Sequence, residues 1–129
     1  MTMSRDPLRR RFRWLMAWLA YWVGLFVLMH VPITRYPLLT HPGSDKAIHF
    51  VLYGLLTWLG GRYQIARMDP PRGLVLVGWA IGYAIFCAFD EWLQQFVGRT
   101  ASLVDWLADV MGVAVGTTVL ILTHHRRSP

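Results

Sequence analysis

Four long apolar runs, separated by short charged or proline-containing connections, constrain this chain more than any other feature. They are "WLMAWLAYWVGLFVLMHV" (Trp14 to Val31), "AIHFVLYGLLTWLGG" (Ala47 to Gly61), "GLVLVGWAIGYAIFCAF" (Gly73 to Phe89) and "LVDWLADVMGVAVGTTVLILT" (Leu103 to Thr123). A helix needs roughly 20 apolar residues to cross a bilayer, with a range of about 17–25. The first and fourth runs reach that length and the third is at its lower limit. The second reaches it only by borrowing "SDK" before it or "RYQ" after it. None of the runs alternates apolar and polar residues as a membrane strand would, and lipid-exposed strands must close into a barrel. The expectation is an all-α integral membrane four-helix bundle, with spans at about 14–33, 45–63, 73–96 and 103–123. A basic tail over 1–13 and a short tail over 124–129 flank it.

Composition agrees. Only 16% of the 129 residues are charged and mean hydropathy is +0.38, against about a quarter charged in a soluble domain. The net charge of +6 does not point to nucleic acid, because the basic residues lie between apolar runs and form no single basic face. The lone cysteine, Cys87, allows no internal disulfide and reads as a small buried hydrophobe. "RRRF" before the first run resembles a twin-arginine signal. The run is nevertheless long for a signal core of about 7–15 residues, and no A-x-A site follows it, so it is expected to remain as an anchor.

The basic residues orient the bundle. Arg5, Arg9, Arg10, Arg11, Arg13, Arg62, Arg67, Arg72, Arg126 and Arg127 fall on one side of a four-span arrangement; Arg35, Lys46 and Arg99 fall on the other. The positive-inside rule then puts both termini of the multi-pass chain in the cytoplasm. Trp14, Trp18 and Trp22 form a stripe descending from the inner interface, where Trp14 suits an aromatic belt. The acids are distributed oppositely. Asp6 and Asp69 are cytoplasmic, whereas Asp45, Asp90, Glu91, Asp105 and Asp109 gather at the outer side.

Ordinary roles account for some of these. Asp45 sits in the first turn of the second helix, where an acid complements the macrodipole. "SLVD" from Ser102 to Asp105 has the capping-box spacing, with Asp in place of the longer Glu or Gln. Glu91 reads as solvated at a helix end. Gly98 ends the third helix if it runs on through "DEWLQQF", which would stack Asp90 on Gln94 and Glu91 on Gln95. Arg99 would lie beside several acids and partly neutralise them. "HHRR" at the C-terminus reads as a solvated tail with weak metal spacing.

His49 and Asp109 need another explanation. His49 lies 13 residues from Arg62 and Asp109 lies 15 from His124. At about 1.5 Å per residue these distances place both about 20 Å above the inner interface, in the outer half of a core about 30 Å thick. An ionisable group there faces the bundle interior and finds a partner. Either the two face each other, directly or through water, or each bonds separately to a carbonyl or a hydroxyl such as that of Tyr53. Helical spacing supports a shared face. Asp45, His49 and Tyr53 form one stripe, Asp105, Asp109, Gly112 and Gly116 another, and Ala108, Gly112 and Gly116 make a ridge of small residues suited to close helix packing.

The same residues carry a resemblance. "DKAIHFVLYGLL" (Asp45 to Leu56) and "DEWLQQFVGRTASLVDWLADVMGVAVG" (Asp90 to Gly116) resemble the VanZ-like family of small bacterial membrane proteins, named after a teicoplanin-resistance protein. Its pattern runs D-K-x-x-H-F-x-x-Y, then D-E-x-x-Q, G-R and D-x-x-x-N/D-x-x-G. Asp45, Lys46, His49, Phe50, Tyr53, Asp90, Glu91, Gln94, Gly98, Arg99, Asp105 and Gly112 match it. The match covers about Ser44 to Gly116. This chain has Val97 where many members have Pro, and Asp109 where many have Asn. An amide at that position implies that a hydrogen bond, more than a charge, is what the site needs.

The resemblance implies a cell-envelope role and an expectation of lowered teicoplanin susceptibility. Three functional classes stay open. One is a non-enzymatic protein binding a polar envelope ligand, lipid head group or membrane partner through Asp45, Lys46, His49, Tyr53, Asp90, Glu91, Gln94, Arg99, Asp105 and Asp109. Another is an enzyme acting on a lipid-linked envelope precursor, in which Asp90, Glu91, Asp105 and His49 would be acids, bases or cation ligands. The third is a structural subunit of a membrane complex, its polar residues only locking the bundle. Neither H-E-x-x-H nor a serine elbow is present, so no catalytic residue, metal or cofactor is assigned, and the partners expected are membrane lipids and envelope components. No internal repeat or broken helix argues for a transporter.

Overall fold

The computed structural model describes residues 6–31, 43–68 and 73–125. Four helices account for nearly all of them: α1 (Pro7–Met29), α2 (Ser44–Arg67), α3 (Gly73–Gln94) and α4 (Leu103–His125). A single 3-10 turn, Gln95–Val97, extends α3. The described residues contain no strand. By length and hydropathy α1, α3 with its 3-10 turn, and α4 are each able to cross a membrane.

α1 begins earlier than the apolar pattern suggests. Pro7 occupies the first turn and the Asp6 carboxylate accepts from Leu8 N–H at 2.9 Å. That cap supplies a start signal inside the basic segment read as a tail. The last two residues of the expected first span, 32 and 33, lie outside the described residues. α2 takes in both "SDK" and "RYQ" and reaches 24 residues. It is long enough to span but not among the helices apolar enough to do so alone. Its place in the bundle accounts for this, since α1, α3 and α4 all pack on it.

The α2–α4 contact is the closest. A Cβ on Gly112 would collide with the Phe50 carbonyl oxygen, and one on Gly116 with that of Gly54. The expected small-residue ridge therefore meets α2 backbone to backbone. Elsewhere the core is aromatic. Trp18 stacks on Tyr63 at 5.6 Å and meets Trp79 edge-on at 5.7 Å, while Trp22 meets Phe86 at 5.1 Å. Trp14 lies edge-on to Trp58 at 5.8 Å, and the Arg62 guanidinium covers its ring at 4.9 Å. The stripe of three tryptophans is thus mostly packing against the bundle. Large apolar side chains such as Val27, Val51, Ile85, Phe89, Met111 and Val115 remain exposed, forming the outer surface a bilayer would cover.

The helices alternate in direction, so the bundle has two chemically different ends. At one, Arg11 Nε donates to the Ala66 carbonyl at 2.8 Å, tying the start of α1 to the end of α2. At the other meet the end of α1, the start of α2, the end of α3 and the start of α4. The polar residues gather there.

Candidate functional site

The α3–α4 turn sets the register of this end. Gly98 adopts φ 80°, a left-handed conformation that suits glycine. Arg99 N–H then bonds back to the Gln94 carbonyl at 3.2 Å, closing a Schellman-type end. The Arg99 guanidinium turns inward and joins three elements: Nη1 donates to the Met29 carbonyl at 3.0 Å, capping α1, and Nη2 to Asp45 Oδ1 at 3.4 Å.

α4 starts at a half capping box. Ser102 Oγ accepts from Asp105 N–H at 3.3 Å, the expected forward bond. The reciprocal bond is missing because Asp is too short to reach back. Ser102 N–H instead donates to Glu91 Oε1 at 2.5 Å, and Asp105 Oδ1 is free to accept from Lys46 Nζ at 3.0 Å. Glu91 is therefore not the solvated residue its place at a helix end suggests; it is 5% exposed. Gln95 likewise does not stack on Glu91, since its amide donates to the Trp92 carbonyl at 2.7 Å.

Below this rim lies a buried layer. His49 Nδ1 and Asp109 Oδ1 are 2.9 Å apart, each residue 1% exposed. The direct pair is realised, and with the carboxylate ionised the imidazole N–H donates. The other nitrogen, Nε2, faces Asp45 Oδ1 at 3.8 Å. Tyr53 does not partner His49 as a hydrogen bond donor. Its ring stacks on the imidazole at 6.3 Å and its hydroxyl donates to Asp90 Oδ2, where Gln94 Nε2 also donates at 3.4 Å. The single stripe Asp45–His49–Tyr53 thus reaches three different elements: the α3–α4 turn, α4 and α3. Asp90 does stack on Gln94, as the spacing requires.

All ten site residues expected from the sequence meet at this end, and the structure adds His30. It sits just past α1, with Nδ1 at 2.8 Å from the Phe26 carbonyl and 3.9 Å from Asp90 Oδ1. The sequence carries a signal for it, because a His at the end of the first apolar run falls level with the polar layer. Cys87 is fully buried nearby, as a small hydrophobe would be. His124 and His125 end α4 at the opposite end, and nothing is described of the His125 side chain.

Hydrogen bonding does not satisfy the layer. His30 Nε2, His49 Nε2, Asp90 Oδ1, Glu91 Oε2 and Asp109 Oδ2 are buried without a partner. Buried polar atoms are nearly always paired; Trp18 Nε1, Gln64 Nε2 and Tyr83 Oη lack a hydrogen-bond partner elsewhere in the bundle, and the five at this end gather around two histidines and three carboxylates. Carboxylates and imidazoles at this spacing are able to accept protons, donate hydrogen bonds to a polar ligand, or ligate a cation. No family model, curated protein or solved structure matches the chain.

Proposed function

We propose that this chain is a VanZ-like integral membrane protein of the bacterial envelope. In this reading it crosses the plasma membrane four times, α2 included, with both termini in the cytoplasm. Its outer-end polar layer binds a polar envelope ligand, lipid head group or membrane partner without catalysing a reaction, and so lowers teicoplanin susceptibility. The observation that carries the reading is the partly exposed rim over the buried layer. Lys46, 44% exposed along its side chain, and Asp45, 26% exposed, stand over groups that keep unmet hydrogen-bonding capacity. A few placed polar groups beneath a hydrophobic wall are what a ligand site requires. A purely structural layer accounts for Ser102, Gly98 and Arg99, but it leaves five buried atoms unexplained.

The test uses a teicoplanin-susceptible bacterium expressing the full chain. Wild type should raise the inhibitory concentration of teicoplanin, and Lys46→Ala should lose that effect at normal protein abundance. No effect of the wild type, or losses that follow abundance, would overturn the reading. In the same cells Ala101→Cys should react with an impermeant thiol reagent and Met68→Cys should not. The native Cys87 gives no background because it is buried. The reverse labelling pattern refutes the orientation.

A further inference from the structure

We propose that His49, Glu91 and Asp109 form a binding site for one divalent first-row transition-metal ion, of the zinc or manganese class. This goes beyond the ligand reading and does not depend on it, since an ion can be held here whether or not the rim binds anything.

Four observations carry the proposal. The first is proximity across three helices: one ligand atom from each of His49, Glu91 and Asp109 lies within 4.8 Å of the others, and all three residues are buried. Metal–ligand bonds of about 2.0–2.2 Å put neighbouring donors about 3–4 Å apart, so small side-chain shifts complete the coordination. The second is unmet valence. Glu91 Oε2 and Asp109 Oδ2 have no hydrogen-bond partner, in residues 5% and 1% exposed.

The third is charge. Of the five acids at this end, two are already neutralised, Asp105 by Lys46 at 3.0 Å and Asp45 by Arg99 at 3.4 Å. No Lys or Arg among the described residues lies at ion-pair distance from Asp90, Glu91 or Asp109; the cations that could face them are His30, 3.9 Å from Asp90, and His49, 2.9 Å from Asp109. Buried carboxylates in that number require a compensating cation or the loss of their charge. The fourth is spacing. His49 Nδ1 and Asp109 Oδ1 stand 2.9 Å apart, close to the separation of two donors on one ion, so the ion takes the place of the proton between them, while Nε2 points away toward Asp45. Asp45, His49 and Asp105 make an overlapping cluster of similar size. Its carboxylates are committed to Arg99 and Lys46, so the inner triad is the site. One imidazole with carboxylates suits zinc or manganese; an all-oxygen set would suit magnesium or calcium.

The test uses the full chain without an affinity histidine tag, carrying His124→Ser and His125→Ser, purified in detergent and stripped with a chelator. After equilibration with zinc or manganese, elemental analysis should find one ion per chain. Glu91→Gln and Asp109→Asn should each weaken binding by about ten-fold or more. Circular dichroism of the ion-free protein checks that both variants keep their helices. X-ray absorption of the zinc form of the starting protein should show one imidazole nitrogen with oxygen neighbours, a readout that needs no further variant. The proposal is overturned by no retained ion, by a sulfur neighbour, or by affinity unchanged in Glu91→Gln. Loss of binding in Asp105→Asn with retention in Glu91→Gln would also overturn it. A chain that holds the ion but leaves teicoplanin susceptibility unchanged sinks only the ligand reading; the opposite result sinks only this one.

Discussion

Replacing Gly112 by Ala tests whether the polar layer depends on backbone contact between α2 and α4. The added methyl would fall on the Phe50 carbonyl oxygen, with Gly54 N 3.1 Å away. Both obstacles are backbone, so no side chain is able to swing aside. Ordinary contacts to carbon need about 3.5 Å, and the helices must part by about 1 Å. Overpacking of this kind costs about 1–3 kcal/mol. The separation also stretches the His49–Asp109 bond, which begins one residue before Phe50 and ends one turn before Gly112. Weakening a charged hydrogen bond adds up to about 1.5–3 kcal/mol. Better helix propensity returns up to about 1 kcal/mol. The expected net loss is about 2–4 kcal/mol.

Gly82→Ala is the matched control, because a Cβ there meets nothing within 4 Å. It should be neutral or stabilising by up to about 1 kcal/mol. Reversible unfolding in mixed micelles of mild detergent and dodecyl sulfate, followed by circular dichroism, measures both. If the two variants agree within about 0.5 kcal/mol, the backbone contact does not hold the bundle and the reasoning fails.

Two further substitutions probe the layer itself. Arg99→Ala should cost about 1.5–3 kcal/mol in the same assay, since it removes the α1 cap at Met29 together with the Asp45 pair; Arg99→Lys should restore less than half, lacking the planar fork. Tyr53→Phe leaves Asp90 Oδ2 with only Gln94 at 3.4 Å and should cost about 1–3 kcal/mol. Adding Asp90→Asn to it should cost less than the sum of the two single changes; strict additivity would mean that the Tyr53–Asp90 contact contributes nothing.

Much of this arrangement is legible in the sequence because membrane helices obey few rules. Hydropathy gives the elements, and a polar residue inside a span must find a partner. Depth counting is enough to bring His49 level with Asp109, since both counts start from charged flanks at the same end. What the sequence hides are contacts set by side-chain length and by turns. Glu91 reads as solvated because its position at the end of α3 looks open; it is buried because the chain doubles back at Gly98 and brings Ser102 N–H onto its carboxylate. Asp105 reads as half of a capping box, but one methylene too few sends it across to Lys46. The start of α1 is hidden for the opposite reason. Charge density marks Arg9 to Arg13 as a tail, while the cap that makes the segment helical rests on the pair Asp6–Pro7.

The composition of α2 has a consequence for how the chain is made. Two of its polar groups meet their partners late: Lys46 and His49 bond to residues 59 and 60 positions further along. During synthesis α2 emerges with its polar stripe uncompensated and without enough hydropathy to partition into lipid alone. α1 precedes it and shields the Trp18 face, but the acids that accept from Lys46 and His49 arrive only with α4. The polar stripe of α2 is therefore satisfied only once α4 is made, and a chain that stops before Leu103 leaves Lys46 and His49 without these acceptors.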